Sequence, residues 1–322
     1  MFGSISYLLT SGIMHPGQRI LLVTSLEGSK RRSAAFIRHL LQAKLNCAVY
    51  NHIANEPSLI NVENGLTMLN RTKCNTVVAV GGCTPIDVAK KISETGASLI
   101  TIPTIPCGGM EKSKIYELFD WETEEIITSQ LENDFISIVD SQLALDDKID
   151  RKTDLIAFIS TLSFLLNQAP ESNESLVIND ALEACEMGLK AAEQRDKLFQ
   201  ASLLIDRSRG DSLNSSITKT ICSKIALPRN LIQAFFFLPC IKLSLQTDPE
   251  VNKLLQSIPL YSRNERIFED LVLASKIPSS LYDLLKNFVR DEQMIDDTMI
   301  EILGWIEKIS KDKSSLLKSF II

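Results

Sequence analysis

The chain has 322 residues, of which 45% are hydrophobic and 23% are charged, and its formal net charge is −6. This length is sufficient for two domains with hydrophobic cores, and the composition is that of a globular protein. The negative net charge argues against a nucleic-acid-binding surface. The longest basic cluster is the short run Lys30-Arg31-Arg32, which argues against it as well.

Short β-branched runs alternate with amphipathic segments over the first 150 residues. The predicted strands are Arg19–Thr24, Ala48–Asn51, Thr76–Val80 and Ser98–Ile102. One helix is predicted after the first strand, with a buried face marked by Ala35, Phe36, Leu40 and Leu41. Two more are predicted over Ile60–Leu69 and from Pro85 onward. Such alternation indicates a parallel sheet covered by helices, with ligands at the carboxyl ends of the strands.

The strand signal ends near residue 150. Before that point, acidic residues and Trp121 separate two runs that predict a hairpin, Lys114–Phe119 and Glu125–Ser129. Beyond it, helical periodicity covers 153–168, 174–194, 212–226, 229–244, 264–275, 279–290 and 293–310. We therefore predict an α/β domain with a parallel Rossmann-like sheet over residues 1–150 and an all-helical domain over residues 151–322.

Cysteine usage and hydropathy indicate a cellular compartment. The seven cysteines are scattered without a C-x-x-C pair, which is typical of reduced thiols in a cytosolic protein. No apolar stretch reaches transmembrane length, and the N-terminus lacks the pattern of a secretion signal. We expect a cytoplasmic protein with a small-molecule substrate and no membrane or nucleic-acid partner. A homodimer is a further candidate assembly.

The segment from Val77 to Lys90 predicts a buried strand, a tight turn and a helix. Its apolar run stops at Gly81 and Gly82, and a Thr-Pro pair then opens the helical pattern. Glycine lets the backbone approach a ligand closely, and a helix N-terminus offers free N–H groups and partial positive charge. The segment is therefore a candidate pyrophosphate site, although many strand-to-helix turns carry two glycines without a ligand.

Further residues along the first half of the chain form a family pattern around this turn. In chain order they are Val23-Thr24, Asn55-Glu56-Pro57-Ser58, Asn61-Val62-Glu63-Asn64-Gly65, Gly81 to Lys90, Ile102-Pro103-Thr104, Gly108-Gly109-Met110-Glu111 and Ile138-Val139-Asp140. This order and spacing resemble the iron-containing alcohol dehydrogenase superfamily, which includes glycerol dehydrogenases and dehydroquinate synthases. The resemblance is dense over residues 19–145 and thin beyond them.

The resemblance implies a binding site for NAD or NADP. The residues implied to hold the pyrophosphate are Gly81, Gly82, Cys83 and Asp87. Those implied to lie near the nicotinamide and its ribose form a second loop, with Thr104, Cys107, Gly108 and Gly109. In this loop Cys107-Gly108 and Met110 replace residues that offer hydroxyls in the family, whereas Glu111 is in register. Ser25 replaces the acid that receives the adenosine ribose hydroxyls, so a preference for NAD over NADP loses its electrostatic basis.

The resemblance also implies a metal site that this chain does not reproduce. Family members bind the catalytic metal with an Asp and three His from the helical domain, but here no histidine lies beyond residue 52. Alignment places four residues at the ligand positions: Ile159, Ser163, Ser215 and Arg229. Zinc or iron in such a site needs imidazole or carboxylate ligands of definite number and geometry. We therefore expect no bound metal.

Other polar residues are weaker candidates. A replacement metal site is conceivable from Asp180, Glu183, Asp206 or Asp211 with Cys185 or Cys222, but their spacing follows no ligand pattern. Solvated helix carboxylates are the expected interpretation. The three histidines, His15, His39 and His52, are expected to be structural or solvated rather than catalytic.

Without a metal, hydride transfer needs another group that stabilises charge on the substrate oxygen. Arg229 lies at a metal-ligand position and Lys219 lies near another, so both are candidate catalytic residues; the alternative is that both are surface charges. We expect an NAD(P)-dependent oxidoreductase that acts on a carbonyl or alcohol. Two alternatives remain: a catalytically inactive dinucleotide-binding or scaffold protein, and a non-redox lyase or cyclase.

Overall fold

The computed structural model of the protein describes residues 17–53, 56–143, 151–166, 172–207, 212–225 and 227–309. Its chain divides into two compact units. Residues 1–150 and 189–208 form the first unit, and residues 151–188 and 209–322 form the second. The chain thus leaves the first unit at residue 150, returns to it for one segment, and then completes the second.

The first unit contains a parallel five-stranded sheet in the order β2-β1-β3-β4-β7. Its strands are β1 (Arg19–Ser25), β2 (Asn46–Ile53), β3 (Thr76–Gly81), β4 (Ser98–Pro103) and β7 (Ile136–Ser137). Three helices connect them: α1 (Arg32–Gln42), α2 (Leu59–Thr72) and α3 (Cys83–Ser93). A separate antiparallel hairpin consists of β5 (Ile115–Asp120) and β6 (Glu125–Gln130).

Both faces of the sheet are buried, which explains why its central strands are continuous apolar runs rather than alternating patterns. On one face, Val77 and Ala79 of β3 belong to a core that includes Ile86 and Ile92 of α3. On the other face, Val78 and Val80 belong to a second core. That core also contains Ala34, Ile37 and Leu41 of α1. The α/β architecture predicted for this region is confirmed.

The second unit is helical throughout its described residues. Its helices are α4 (Arg151–Leu165), α5 (Ser172–Glu186), α7 (Leu213–Cys222), α8 (Arg229–Phe235), α9 (Phe237–Thr247), α10 (Pro249–Ser257), α11 (Pro259–Arg263), α12 (Ile267–Ser275), α13 (Leu281–Lys286) and α14 (Glu292–Ile309). Helix α6 (Ala192–Leu204) belongs to the first unit. Within the second unit α4 is central, because it is buried from residue 154 to its end and packs against α8 and α12.

Several helices differ in detail from the sequence-based expectations. Helix α1 buries Ala34, Ile37 and Leu41, whereas Ala35 and Phe36 of the predicted face are exposed. The helix predicted over 174–194 is two helices, because backbone at Gly188 and Leu189 has positive φ and ends the first one. The helix predicted over 229–244 breaks at Phe236, where α8 ends and α9 begins.

Helix α3 begins at Cys83, two residues before the predicted start. No helix among the described residues is sufficiently long and apolar to span a membrane.

Candidate functional site

The parallel sheet brings the sequence-predicted loops to one edge. Strands β1, β3 and β4 end at Ser25, Gly81 and Pro103, so the loops that follow them share the carboxyl edge. The chain proceeds outward in opposite directions from β1 and β3, which makes their boundary a topological switch point. Open α/β sheets bind ligands in the crevice at such a point.

The phosphate loop, residues 81–85, joins β3 to α3 and contains two glycines with different constraints. Gly81 has φ of 143°, and a Cβ there would lie 2.8 Å from Pro85 Cγ. Gly82 has φ of −87° and is the N-cap of α3, without a side-chain cap hydrogen bond. A Cβ on Gly82 would lie 3.1 Å from Ile105 Cδ1. The N-terminus of α3 thus follows two glycines and has no side-chain cap, which suits a bound anion.

The second loop, residues 104–111, follows β4 and contacts the phosphate loop. The Thr104 N–H donates to the Gly81 carbonyl at 2.9 Å, and Cys83 Sγ lies 3.7 Å from the Cys107 carbonyl oxygen. Gly108 and Gly109 both have positive φ, of 57° and 82°. The structure thus brings the two predicted cofactor loops together, while their contact with a cofactor stays a prediction.

Ser25 lies half-buried at the end of β1, on the same edge. Its Oγ accepts a hydrogen bond from the Gly28 N–H at 2.9 Å, closing a short turn over Gly28–Lys30. A side chain on Gly28 would meet Ser25 Oγ at 2.8 Å, so this turn is closely packed. The hydroxyl has a local structural partner at the position where the family resemblance implies a ribose-binding acid.

Three buried ionisable residues, Asp87, Lys90 and Glu111, form a charged cluster behind the two loops. Lys90 is fully buried and its Nζ donates to the carbonyls of Met110 at 2.7 Å and Ile115 at 2.9 Å. Asp87 Oδ1 lies 3.9 Å from the same Nζ. The predicted cofactor residue Asp87 is therefore 2% exposed and paired with Lys90 inside the first unit.

Burial sets the pKa directions of this cluster. Desolvation lowers the pKa of Lys90, and the neighbouring Asp87 carboxylate opposes that shift. Desolvation raises the pKa of Glu111, while hydrogen bonds from Ser202 and from backbone N–H groups oppose it. One of those N–H groups belongs to Cys107, whose distance to Glu111 Oε1 is 3.4 Å. The charged cluster fixes the second loop to α3 and α6.

Helix α6 and the segment after it contribute residues that sequence reasoning missed. The Gly109 N–H donates to Ser202 Oγ at 3.2 Å, and a Cβ on Gly109 would lie 2.9 Å from Ile205 Cβ. Arg207 pairs with Glu117 of the hairpin at 3.4 Å, and both side chains are nearly buried. The requirement for glycine at position 109 thus arises from a segment about ninety residues further along the chain. No local pattern indicated this contact.

In the second unit, the aligned metal-ligand position Ser163 belongs to a neutral cluster of Ser160, Ser163, Asn214 and Gln233. Asn214 Nδ2 donates to Ser163 Oγ at 2.6 Å and to the Gln233 carbonyl at 2.8 Å. Ser160 Oγ donates to Gln233 Oε1. All four residues are at least nine-tenths buried. The neutral cluster joins α4, α7 and α8.

These residues do not fit a catalytic iron or zinc ion. Of the four aligned positions, Ile159 is apolar and fully buried, and Ser163 already accepts a hydrogen bond from Asn214. Ser215 is a buried hydroxyl, and the fourth position is the cation Arg229. Neutral hydroxyls and a guanidinium are not the imidazole and carboxylate ligands that these ions require. No group of three or more His, Cys, Asp or Glu among the described residues is arranged for a metal.

The remaining candidates are distributed over both units. Arg229 is the first residue of α8 and Lys219 lies in the last turn of α7, both half-buried. Their catalytic role stays a prediction. His39 and His52 are exposed, and His15 lies outside the described residues, as does Asp211.

Comparison with known proteins agrees with this architecture. Residues 9–137 match the family model described as iron-containing alcohol dehydrogenase. No curated protein sequence matches the chain. The chain is similar to the solved structure of a 1,3-propanediol oxidoreductase, with a TM-score of 0.75 and 16% identity, covering 100% of this chain and 97% of that one.

Two further solved structures are similar to this chain over its whole length. The NADH-dependent butanol dehydrogenase A of Thermotoga maritima gives a TM-score of 0.76 at 16% identity, with coverage of 100% and 96%. An iron-containing alcohol dehydrogenase of Corynebacterium glutamicum gives 0.72 at 16% identity, with coverage of 100% and 94%. Residues 9–137 therefore match the iron-containing alcohol dehydrogenase family, and the chain as a whole has the fold of those enzymes.

Proposed function

We propose that this protein binds NAD or NADP at the carboxyl edge of its parallel sheet and acts as an oxidoreductase on a carbonyl or alcohol without a bound catalytic metal. One observation carries the proposal. The N-terminus of α3 is flanked by Gly81 and Gly82 at the switch point between β1 and β3. Such a helix N-terminus favours a pyrophosphate through its free N–H groups and its dipole.

The second loop supports the same assignment. The Thr104 N–H donates a hydrogen bond to the Gly81 carbonyl, and this bond fixes the position of the second loop relative to the phosphate loop. Gly108, with φ of 57°, brings no side chain of its own to this loop, which suits the close approach of a cofactor to the backbone. The similar enzyme from Thermotoga maritima is an NADH-dependent butanol dehydrogenase, which supports a nicotinamide cofactor in this chain.

The Ser25 hydroxyl favours neither form of the dinucleotide by charge. A carboxylate at this position would bind the ribose hydroxyls of NAD and repel the extra phosphate of NADP. Ser25 carries no charge, and its Oγ accepts from Gly28. We therefore propose that NAD and NADP bind with affinities within about tenfold of each other, a difference of about 1.4 kcal/mol.

In the bound state, the nicotinamide supplies or accepts the hydride. The residues of this chain would orient the substrate and stabilise negative charge on its oxygen. With Ile159 and Ser163 unsuited to a metal, Arg229 and Lys219 are the proposed sources of positive charge. A guanidinium is permanently charged and donates several hydrogen bonds, so Arg229 is the first candidate.

The neutral cluster favours a second function. Ser163 lies where the family resemblance implies a metal ligand, and it accepts a hydrogen bond from Asn214 within this cluster. A protein that retained the dinucleotide fold and lost the catalytic group would have this arrangement. The second candidate is therefore a catalytically inactive protein that senses dinucleotides or serves as a scaffold.

Binding is tested by calorimetric titration of the protein with NADH and NADPH. Gly82→Val is expected to abolish binding while the protein stays folded, since its Cβ meets only the flexible end of Ile105. Gly81→Val is a poorer test, because φ of 143° and the contact with Pro85 would strain the fold itself. Gly304→Ala is the matched control, since its Cβ meets nothing within 4 Å.

Unchanged affinity in Gly82→Val would contradict the assigned phosphate loop. If the wild-type protein binds neither cofactor at millimolar concentration, the oxidoreductase proposal fails and a scaffold function gains support.

Catalysis is tested by Arg229→Met, assayed against a panel of aldehydes and alcohols. If Arg229 stabilises developing charge, kcat and kcat/KM fall by about a hundredfold or more while cofactor affinity is retained. Lys219→Met, assayed in parallel, distinguishes the two candidates. A wild-type protein that binds dinucleotide but turns over no substrate in the panel would support the inactive alternative.

A further inference from the structure

Two cysteines lie opposite each other on the two loops of the carboxyl edge. Cys83 is the first residue of α3, and Cys107 lies in the second loop. Cys83 Sγ is 3.7 Å from the Cys107 carbonyl oxygen, and Cys107 Sγ is 3.2 Å from the Ile105 carbonyl oxygen. Their backbones are held close by the bond from Thr104 to Gly81. The Cys83 thiol thus contacts the backbone of Cys107 across the two loops.

The other cysteines of the first unit lack this arrangement. Cys47 lies on β2 opposite Ile20 of β1, and Ile20 in turn lies opposite Thr76 of β3. Strand β1 thus separates Cys47 from Cys74, which comes just before β3. Two strand spacings amount to about 9.6 Å, beyond the span of a disulfide. The contact between the two loops thus brings Cys83 and Cys107 together, whereas β1 separates Cys47 from Cys74.

The two thiols differ in their access to solvent. Cys83 is partly exposed, whereas Cys107 is 3% exposed. The neighbouring Cys83 side chain and burial raise the pKa of Cys107 well above its usual value. A small oxidant therefore meets Cys83 first, and Cys107 is positioned beside it as the resolving thiol.

We propose that Cys83 and Cys107 form a site of reversible oxidation, whose product is a disulfide between the phosphate loop and the second loop. A peroxide first transfers oxygen to Cys83, so the O–O bond breaks and Cys83 becomes a sulfenic acid with release of water. Cys107 sulfur then attacks the Cys83 sulfur. The S–O bond breaks, the S–S bond forms, and the Cys107 proton leaves with the hydroxide as a second water.

The disulfide would change the cofactor site, and this part of the inference rests on the proposed function. A disulfide holds its two sulfur atoms about 2.05 Å apart, which would tie the phosphate loop to the second loop. We expect this to narrow the proposed pyrophosphate site at Gly82. Oxidation is therefore expected to weaken NADH binding by about tenfold, and dithiothreitol is expected to restore it.

The bond itself is tested on the full chain with hydrogen peroxide, alkylation of the remaining thiols and mass spectrometry of the non-reduced digest. A linked peptide containing Cys83 and Cys107 is expected in the wild type and in the control Cys47→Ser. It is expected to be absent in Cys83→Ser and Cys107→Ala. Peroxide that converts Cys83 to sulfinic acid without any linked peptide would overturn the proposal.

Titration of the oxidised and reduced protein with NADH tests the consequence separately. Weaker binding after oxidation in the wild type, with no change in Cys83→Ser, supports control of the site by the disulfide. If the linked peptide is present but the oxidised and reduced proteins bind NADH equally well, the disulfide does not regulate the cofactor site. The oxidation site itself is then still established. Absence of NADH binding by the reduced protein contradicts the proposed function, while the mass-spectrometric result still decides the disulfide.

Discussion

The charged cluster of the first unit and the neutral cluster of the second are both buried and polar, but they are stabilised differently. Lys90 is surrounded by two carbonyls at 2.7 and 2.9 Å and by the Asp87 carboxylate at 3.9 Å. Asn214 joins a hydroxyl and a carbonyl through its amide, without any ion. A charge removed from water needs compensation of several kcal/mol, whereas an amide needs only its hydrogen bonds. Removing one member should therefore lower the free energy of unfolding more in the charged cluster than in the neutral cluster.

The largest effect is expected for Lys90→Met in the charged cluster. The substitution leaves Asp87 as a buried carboxylate without its cation and leaves the Met110 and Ile115 carbonyls unpaired. The free energy of unfolding should fall by about 3–5 kcal/mol, as measured by urea denaturation. Lys91→Met is the matched control, because Lys91 is 38% exposed and pairs with Glu94 at the surface, where about 1 kcal/mol or less is expected. Equal losses for both variants would show that the charged cluster has no special role in stability.

A smaller effect is expected for Asn214→Ala in the neutral cluster. It removes the donor to Ser163 and to the Gln233 carbonyl, so the free energy of unfolding should fall by about 1–3 kcal/mol. Asn287→Ala is the control, since Asn287 makes an exposed bond to the Asp283 carbonyl and should change stability by about 0.5 kcal/mol or less. A loss in Asn214→Ala as large as that in Lys90→Met would remove the distinction between the two clusters.

The smallest effect is expected from metal ions. A ligand that binds only the folded state raises the midpoint of thermal unfolding (Tm). The hydroxyl, apolar and guanidinium groups at the four aligned positions are not ligands for iron or zinc, so we expect no such binding of these metals. Added Fe²⁺ or Zn²⁺ should therefore leave Tm unchanged, and elemental analysis after gel filtration should find no stoichiometric metal. A variant that carries the family ligands is the positive control: Ile159→Asp, Ser163→His, Ser215→His and Arg229→His together. One equivalent of metal retained by the wild-type protein would contradict the assignment.

The sequence predicted the elements whose burial pattern is local. The β-branched run before Gly81 predicted β3, and the glycines and the Thr-Pro pair predicted the start of α3 to within two residues. The exposed Phe36 in α1 shows the limit of this reasoning. An apolar residue next to a buried stripe is assigned to that stripe by periodicity, and only packing decides which residues face the sheet.

The candidate site was predictable where it depends on adjacent residues and not where it depends on distant ones. The two glycine loops are visible in the sequence, as is the lack of histidine beyond residue 52. The contacts of Gly109 with Ser202 and Ile205 are not, because they depend on a segment that joins the first unit after 38 residues of the second. Lys90 also lay in a recognised motif, but its partners are carbonyl groups, which no side-chain pattern reveals.

The return of residues 189–208 to the first unit has a consequence for synthesis of the protein. Domains generally fold as units, beginning from the N-terminus while the chain is still being made. Here the ribosome must pass residue 150, add the start of the helical unit and continue to residue 208 before Ser202, Ile205 and Arg207 can reach their partners. Until then Glu111 lacks the Ser202 hydroxyl, and Gly109 lacks its contacts with Ser202 and Ile205. The nascent N-terminal domain is thus completed late, and a fragment that stops at residue 150 would omit part of its own interior.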